Sequence, residues 1–315
     1  MCVSAAPAEF SGTIVYVGRH THPEHGPVEV LGYQNTAVNL ADGPNALLLH
    51  LPATGMSSAN FLDTGDTPYI LRDLVNSLRP PGWAARAGGV APGGAPAGVE
   101  VFDHDVYTVV LAADPAAIPA ALQEVPQHKR PSLAPELFRF YADTFPGYPV
   151  ALCCFDNADA RRAGPLLMWY RPIFADRLTV PALDAHSGGP PDPDALVRPD
   201  HWVLVGLDDP PEGWGAPVWY RREPGPLAPF LPRRVIGREV TGVSVRNGDF
   251  VISLADARAG RVDRLGRLTA KGEQVPLIPP AETSIASRPW LRPVLTALAL
   301  VLVVVFCSWL LIWGP

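Results

Sequence analysis

Residues 12–33 read GTIVYVGRHTHPEHGPVEVLGY, two β-branched and apolar runs (12–18 and 27–33) around a polar segment, 19–26, that holds a proline, a glycine and three histidines. Runs of this type suit a pleated, buried surface, and Gly and Pro at their borders end them. The stretch predicts two strands joined by a loop at 19–26, and the same signature recurs outward along the chain. NALLLHL (45–51), VEVF (99–102), VYTVVLA (106–112), VALCCF (150–155), PLLMWY (165–170) and HWVLVGL (201–207) are apolar runs of strand length. In VTGVSVRNGDFVISL (240–254), Asn247-Gly248 stands between alternating runs and predicts a type I′ hairpin.

Helical spacing is rarer. PYILRDLVNSL (68–78) repeats Ile70, Leu71, Leu74, Val75 and Leu78 on one side, and 134–145 does so with Leu137, Phe138, Tyr141 and Phe145; a further helix is expected at 115–124. RPPGWAARAGGVAPGGAPAG (79–98) has no apolar period and reads as a flexible insertion, while HSGGPPDPDALVRPD (186–200) is too rich in breakers for regular structure. The expected fold class is α+β, mainly antiparallel strands with a few helices. The organisation that follows is a domain at 1–266, a linker at 267–290 and a membrane segment at 291–314.

The membrane segment rests on the C-terminal run RPWLRPVLTALALVLVVVFCSWLLIWGP, which carries no charged side chain from Pro293 to Trp313. That length matches a bilayer core of about 30 Å at about 1.5 Å per helical residue. Trp290 marks one border and Trp309 and Trp313 the other, while Arg288 and Arg292 flank only the first, which predicts a cytoplasmic domain on that side. MCVSAAPAEF has neither the basic nor the apolar region of a signal peptide. The expectation is a single-pass, tail-anchored protein whose partners are the lipid bilayer, through 291–314, and a protein or small molecule.

With 31 acidic against 25 basic residues and no basic block, nothing points to nucleic acid. Pro (37) and Gly (28) are abundant, yet 48% hydrophobic residues and eight Trp argue for a packed, loop-rich fold over disorder. The cysteines Cys2, Cys153, Cys154 and Cys307 form no disulfide framework. On a strand, Cys153 and Cys154 point to opposite faces, so they read as small buried side chains and not as a redox pair.

Candidate chemistry gathers in the first 25 residues. Removal of Met1 would leave Cys2 with a free α-amine that titrates near pH 8 and can serve as base for its own thiol. MC, a strand-forming segment and then SGTIVYVGR resemble the start of N-terminal-nucleophile cysteine hydrolases of the choloylglycine-hydrolase and penicillin-acylase type. The resemblance covers about twenty residues. It implies an αββα sandwich, Cys2 as nucleophile and Gly18-Arg19 as the Gly-Arg whose guanidinium lies near it, with Asn35, Asn39 and Asn45 as candidates for the oxyanion hole. The chain departs from the family in having His20, Thr21 and His22 where an Asn and an Asp follow that arginine, and in placing Pro7 close to the nucleophile.

His20, His22 and His25, with Glu24 among them, offer imidazole and carboxylate ligands that suit Zn²⁺ or Cu²⁺; a solvated hairpin loop accounts for the same letters without metal. No other cofactor is expected. Asp184, His186, Asp192, Asp194, Asp200 and His201 surround a Gly-Pro loop that reads either as the lining of a site or as a charged surface loop. Two functions follow from these residues: a binding or scaffold domain that uses the 79–98 and 186–200 loops, or an amide-bond hydrolase working through Cys2 and Arg19.

Overall fold

The computed structural model describes residues 3–65, 67–79, 98–159 and 163–277. The chain divides into two units, Met1–Leu277 and Ile278–Pro315, and every described residue falls in the first.

The two strands predicted from 12–33 extend in both directions, to Ala8–His22 and Gly26–Asn39, and pair antiparallel from Ala8↔Asn39 to His22↔Gly26. Most of the supposed loop is therefore strand, and only Pro23–His25 turns. This hairpin is the middle of a seven-stranded sheet. His201–Leu207, Arg234–Val240 and Ala216–Pro217 lie on one side of it, Leu166–Tyr170 and Phe61–Leu62 on the other. The contact of His201–Leu207 with Ala8–His22 is parallel, and the remaining pairs in this sheet are antiparallel.

A five-stranded antiparallel sheet, in the order Val3–Ser4, Asn45–His50, Val150–Phe155, Tyr107–Ala112 and Val99–His104, packs against it. Alternation along the strands sends Val15, Val17, Leu31 and Tyr33 of one sheet and Leu47, Leu49, Val109 and Cys153 of the other into a shared core. The residues between them face outward on both sheets. Ile14, Tyr16, Val28 and Val30 lie under helix Ile70–Leu78, while Leu48, Val110, Leu152 and Cys154 lie under Ile118–Ala121 and Pro135–Thr144. A four-stranded sheet of Arg177–Val180, Gly248–Ser253, Gly266–Thr269 and Gln274–Pro276 adds Leu178, Val180, Phe250 and Ile252 to the shared core.

Cys153 and Cys154 thus occupy opposite faces of one strand, both fully buried. Burial pushes both thiols up, Cys154 to about 12, so neither is a thiolate at neutral pH.

Several expectations are corrected. The described residues form a mainly β domain and not an α+β one. The expected helices form where predicted, but the longest are Ile70–Leu78 with nine residues and Pro135–Thr144 with ten. They cover the sheets in patches and build no αββα layers. The linker expected from 267 is also displaced, because Gly266–Thr269 and Gln274–Pro276 are strands of the domain. Among the described residues no helix is long and apolar enough to cross a membrane. The stretch 291–314, with Trp290, Arg292, Trp309 and Trp313, lies outside the described residues, and the tail-anchored expectation has no support in the described structure.

The hairpin expected at Asn247-Gly248 is absent too. Val245–Arg246 pairs with Leu196–Val197, whereas Gly248–Ser253 pairs with Arg177–Val180 and Gly266–Thr269. Asn247 is fully buried between these partners. Its Oδ1 accepts from Asp184 N at 2.9 Å and its Nδ2 donates to Asp184 O and Asp192 O, each at 3.0 Å. An amide has the donors and acceptor to stand in for a missing strand, and here it pins the breaker-rich 186–200 segment to the domain.

Replacing Asn247 separates the two roles. A type I′ turn would accept Asn247→Gly at little cost, whereas loss of the buried bracket leaves backbone groups unpaired at about 1–3 kcal/mol each. Urea unfolding should therefore show both Asn247→Gly and Asn247→Ala destabilised by about 2–4 kcal/mol, and a glycine variant as stable as wild type would contradict the assignment.

Candidate functional site

Arg19 is partly buried. Its Nη2 donates to Glu29 Oε2 at 2.8 Å, to Phe174 O at 3.0 Å and to Arg177 O at 3.1 Å. Arg19, Glu29 and Tyr170 form one row across three strands, and Tyr170 Oη donates to the other Glu29 oxygen at 3.2 Å. Glu29 is 1% exposed, and burial raises its carboxyl to about 7 against the pull of Arg19 and Tyr170. Arg19 thus fastens the Phe174–Arg177 segment to the hairpin through Nη2. Cys2 lies outside the described residues.

Asn45 and Asn39 are committed as well. Asn45 Oδ1 accepts from Ala6 N at 2.9 Å, its Nδ2 donates to Ala6 O at 3.0 Å and to Asn39 Oδ1 at 2.9 Å, and Asn39 Nδ2 donates to Gly43 O. They bracket the Ala6-Pro7 segment where an oxyanion hole was expected. Asn35 Nδ2 donates to Tyr33 Oη at 3.0 Å.

The three histidines part ways. His20 is buried, with Nε2 at 2.7 Å from Tyr16 Oη and Nδ1 at 2.7 Å from Asp208 Oδ1. The His20 bond helps to hold the Asp208 carboxyl below the usual range, against the larger opposing effect of burial. Gly18 and Gly206 are direct cross-strand partners, and a Cβ on either would overlap the Tyr16 hydroxyl. The glycine of the Gly-Arg pair thus makes room for a buried Tyr–His–Asp chain.

His22 and His25 stack face to face at 4.5 Å, with Phe230 at 4.5 Å on His22 and Trp169 at 4.1 Å on His25. Stacked rings present faces and not nitrogens to one another. His22 Nδ1 accepts from the amides of Glu24 and His25 and is also committed. The structure does not bring His20, His22 and His25 together as a ligand set, and the described residues hold no group of three or more His, Cys, Asp or Glu placed for a metal.

The acidic loop resolves into separate pairs. Asp184 meets His186 at 2.7 Å, Asp200 meets His201 at 3.3 Å, and Asp194 meets Lys271 at 2.8 Å. Burial drives the His201 imidazole down to about 4 despite Asp200, so it is neutral at physiological pH.

A feature absent from every motif is a cleft of about 340 Å³ on the outer face of the seven-stranded sheet. Its floor is one row across three strands, Ile14, Trp202 and Glu239. One wall is helix Ile70–Leu78 with Arg72, Val75 and Asn76, and Arg79 and Arg221 stand at its margin. The opposite rim is a β-bulge. The register between the long strands shifts from Ser11↔Thr36 to Ile14↔Gln34, Gly12 takes φ +61° there, and its amide donates to Asp200 Oδ2 at 2.6 Å.

Charge in the cleft is unevenly committed. Arg221 Nε pairs with Asp73 Oδ1 at 2.8 Å, and its backbone amide donates to Asp73 Oδ2 at 3.0 Å. The Arg79 guanidinium lies 4.9 Å over the Trp202 ring and 3.7 Å from Glu239. Arg72 has no hydrogen bond or ion pair among the described residues. Beside the cleft the segment 218–221 alternates: Val218 and Tyr220 pack inward, Arg221 lines the cleft, and Trp219 is 80% exposed.

No family model matches the chain, and no curated protein matches it. Among solved structures, baculovirus P35 is similar at a TM-score of 0.39, with 15% identity over 65% of this chain and 67% of that one. A mutated baculovirus P35 after caspase cleavage gives a TM-score of 0.41, with 11% identity over 77% of this chain and 97% of that one. Likenesses this low assign the chain neither a fold family nor an activity.

The buried row at Glu29 predicts a pH signature. A carboxyl held near 7 in the folded chain against 4.5 when free keeps a proton that the unfolded chain has released, so its contribution to stability is full below about 4.5 and is lost as pH rises through 7. Urea midpoints across this window should fall for wild type relative to Glu29→Gln as pH rises, and a difference that does not change with pH would contradict the assignment.

Proposed function

We propose that the domain is a protein-binding module that engages its partner through the cleft beside helix Ile70–Leu78. The observation that carries this reading is the contrast in commitment. The polar groups expected to do chemistry are consumed in structural bonds, as with Arg19, Asn45 and His20. The cleft instead keeps, at Arg72, a guanidinium with no partner among the described residues, and an arginine stacked on an indole. Arginine and tryptophan are among the residue types that dominate protein interfaces, because each offers a wide planar contact, and an arginine already stacked on an indole has part of its ordering cost met before binding. A floor built from three hydrogen-bonded strands adds rigidity, so little ordering is left for binding to offset. The exposed Trp219 enlarges the same face. The hydrolase reading draws no comparable support, since the Arg19 guanidinium is engaged by Glu29 and Cys2 lies outside the described residues.

A photo-crosslinking amino acid placed at Trp219 tests the assignment in cells that make the protein, with the same residue at Arg139, on the helix over the other sheet, as control. Discrete protein adducts at 219 that disappear with Trp202→Ala, and none at 139, are expected. Equal adducts at both positions, or adducts at 139 alone, would overturn it.

A further inference from the structure

We propose that the cleft recognises the carboxylate of an aspartate or glutamate within an extended peptide segment, held by Arg72, with the neighbouring residues of that segment lying on Ile14, Val75 and Trp202. The inference rests on the binding-module reading and names the chemistry of the partner.

Charge decides it. Five charged side chains line the cleft, and four are spoken for. Arg221 is neutralised by buried Asp73, and Arg79 is shared between Trp202 and Glu239. Asp200 accepts from the Gly12 amide and lies 3.3 Å from His201. Among the described residues of the cleft, Arg72 alone offers an uncommitted planar fork of donors, which matches a carboxylate in a two-point contact. One free positive charge with Asp200 and Glu239 close by suits a single negative charge. A phosphate, at about −1.5 to −2 near neutral pH, would meet up to about twice the repulsion from the same two acids, with no second free cation among the described residues of the cleft to offset it.

Shape argues for a segment of chain over a free acid. The cleft is open, and its volume of about 340 Å³ sits near the lower end of the roughly 300–1,000 Å³ typical of enclosed ligand pockets. An isolated small acid would bury little surface there. An extended segment instead lays alternate side chains into the cleft and over the adjoining surface, where Arg221 lines the cleft and Trp219 is exposed.

The experiment uses fluorescein-labelled peptide pools of the form Ala-X-X-Asp-X-X-Ala, the matching pool with Asn at the fixed position, and a third with phosphoserine there, titrated into the full chain by anisotropy. The Asp pool should bind at least tenfold more tightly than the Asn pool. Arg72→Gln should erase that difference, Arg139→Gln should leave it intact, and Trp202→Ala should weaken both pools. Arg72 is half-exposed and unpaired, so its variant should keep the wild-type melting curve, which verifies folding independently. Equal affinity for Asp and Asn pools, with the Trp219 crosslink intact, overturns the carboxylate inference and leaves the binding module standing. Loss of that crosslink overturns both. Tightest binding by the phosphoserine pool assigns the cleft to phosphopeptides and overturns the inference. Binding that emerges only after residues 82–96 are deleted makes the chain's own segment the occupant and does the same.

Discussion

The ion pair between Arg19 and Glu29 joins parts of the molecule that the apolar core alone would not register. At 2.8 Å, with Glu29 1% exposed, it sits in the strand row that continues to Tyr170, and the same guanidinium reaches across to Phe174 O and Arg177 O. Hydrophobic packing is non-directional and would tolerate a slipped strand; a buried guanidinium–carboxyl contact is not so forgiving. Removing one partner leaves buried donors or acceptors of the other unpaired, at about 1–3 kcal/mol per group. A one-residue slip of Gly26–Asn39 would do this while turning Val28 and Val30 to the wrong face. The pair therefore fixes the hairpin register, and with it the Ile14–Trp202–Glu239 row that floors the cleft, five residues along the same strand from Arg19.

This dependence runs through local devices that each solve one steric problem. The bulge at Gly12 and Thr13 absorbs one extra residue near the start of the hairpin and turns the Gly12 amide toward Asp200. Gly18 opposite Gly206 leaves room for the Tyr16–His20–Asp208 chain, which satisfies polar groups that burial would otherwise penalise. Asn247 supplies in one side chain the hydrogen bonds that a further strand would have supplied at 184 and 192.

Much of the strand placement along the chain is legible in the sequence because these strands are buried on both faces. Runs such as VALCCF and HWVLVGL announce themselves by composition, with no need for alternation. The helices were legible by period, Ile70–Leu78 above all. Fold class was not, since the number of predicted helices says nothing of their length or of whether they form layers. Asn247-Gly248 misled for a definite reason. Asn and Gly favour a turn through their backbone freedom, but the same amide is also the best small side chain for bridging two strands to a loop, and only burial distinguishes the two uses.

The candidate site was the least legible part, and the reason is geometric. Arg19 and the histidines resemble catalytic groups because polar residues inside apolar runs are the residues that catalysis uses; structural ion pairs and hydrogen-bond relays draw on the same types. The cleft, by contrast, takes Gly12 and Ile14, Arg72 and Val75, Trp202, Arg221 and Glu239 from separate segments, and no two neighbouring letters hint at it. Its one sequence-level trace is the lack of a compensating partner. Arg72 lies on the helix beside the apolar stripe with Asp73 next to it, yet on a helix adjacent residues do not face each other, so that aspartate is free to serve Arg221 instead. A charge left over after every local pairing has been made is a stronger pointer to an outside partner than a charge that fits a motif, because folding alone gives no reason to keep it half-buried.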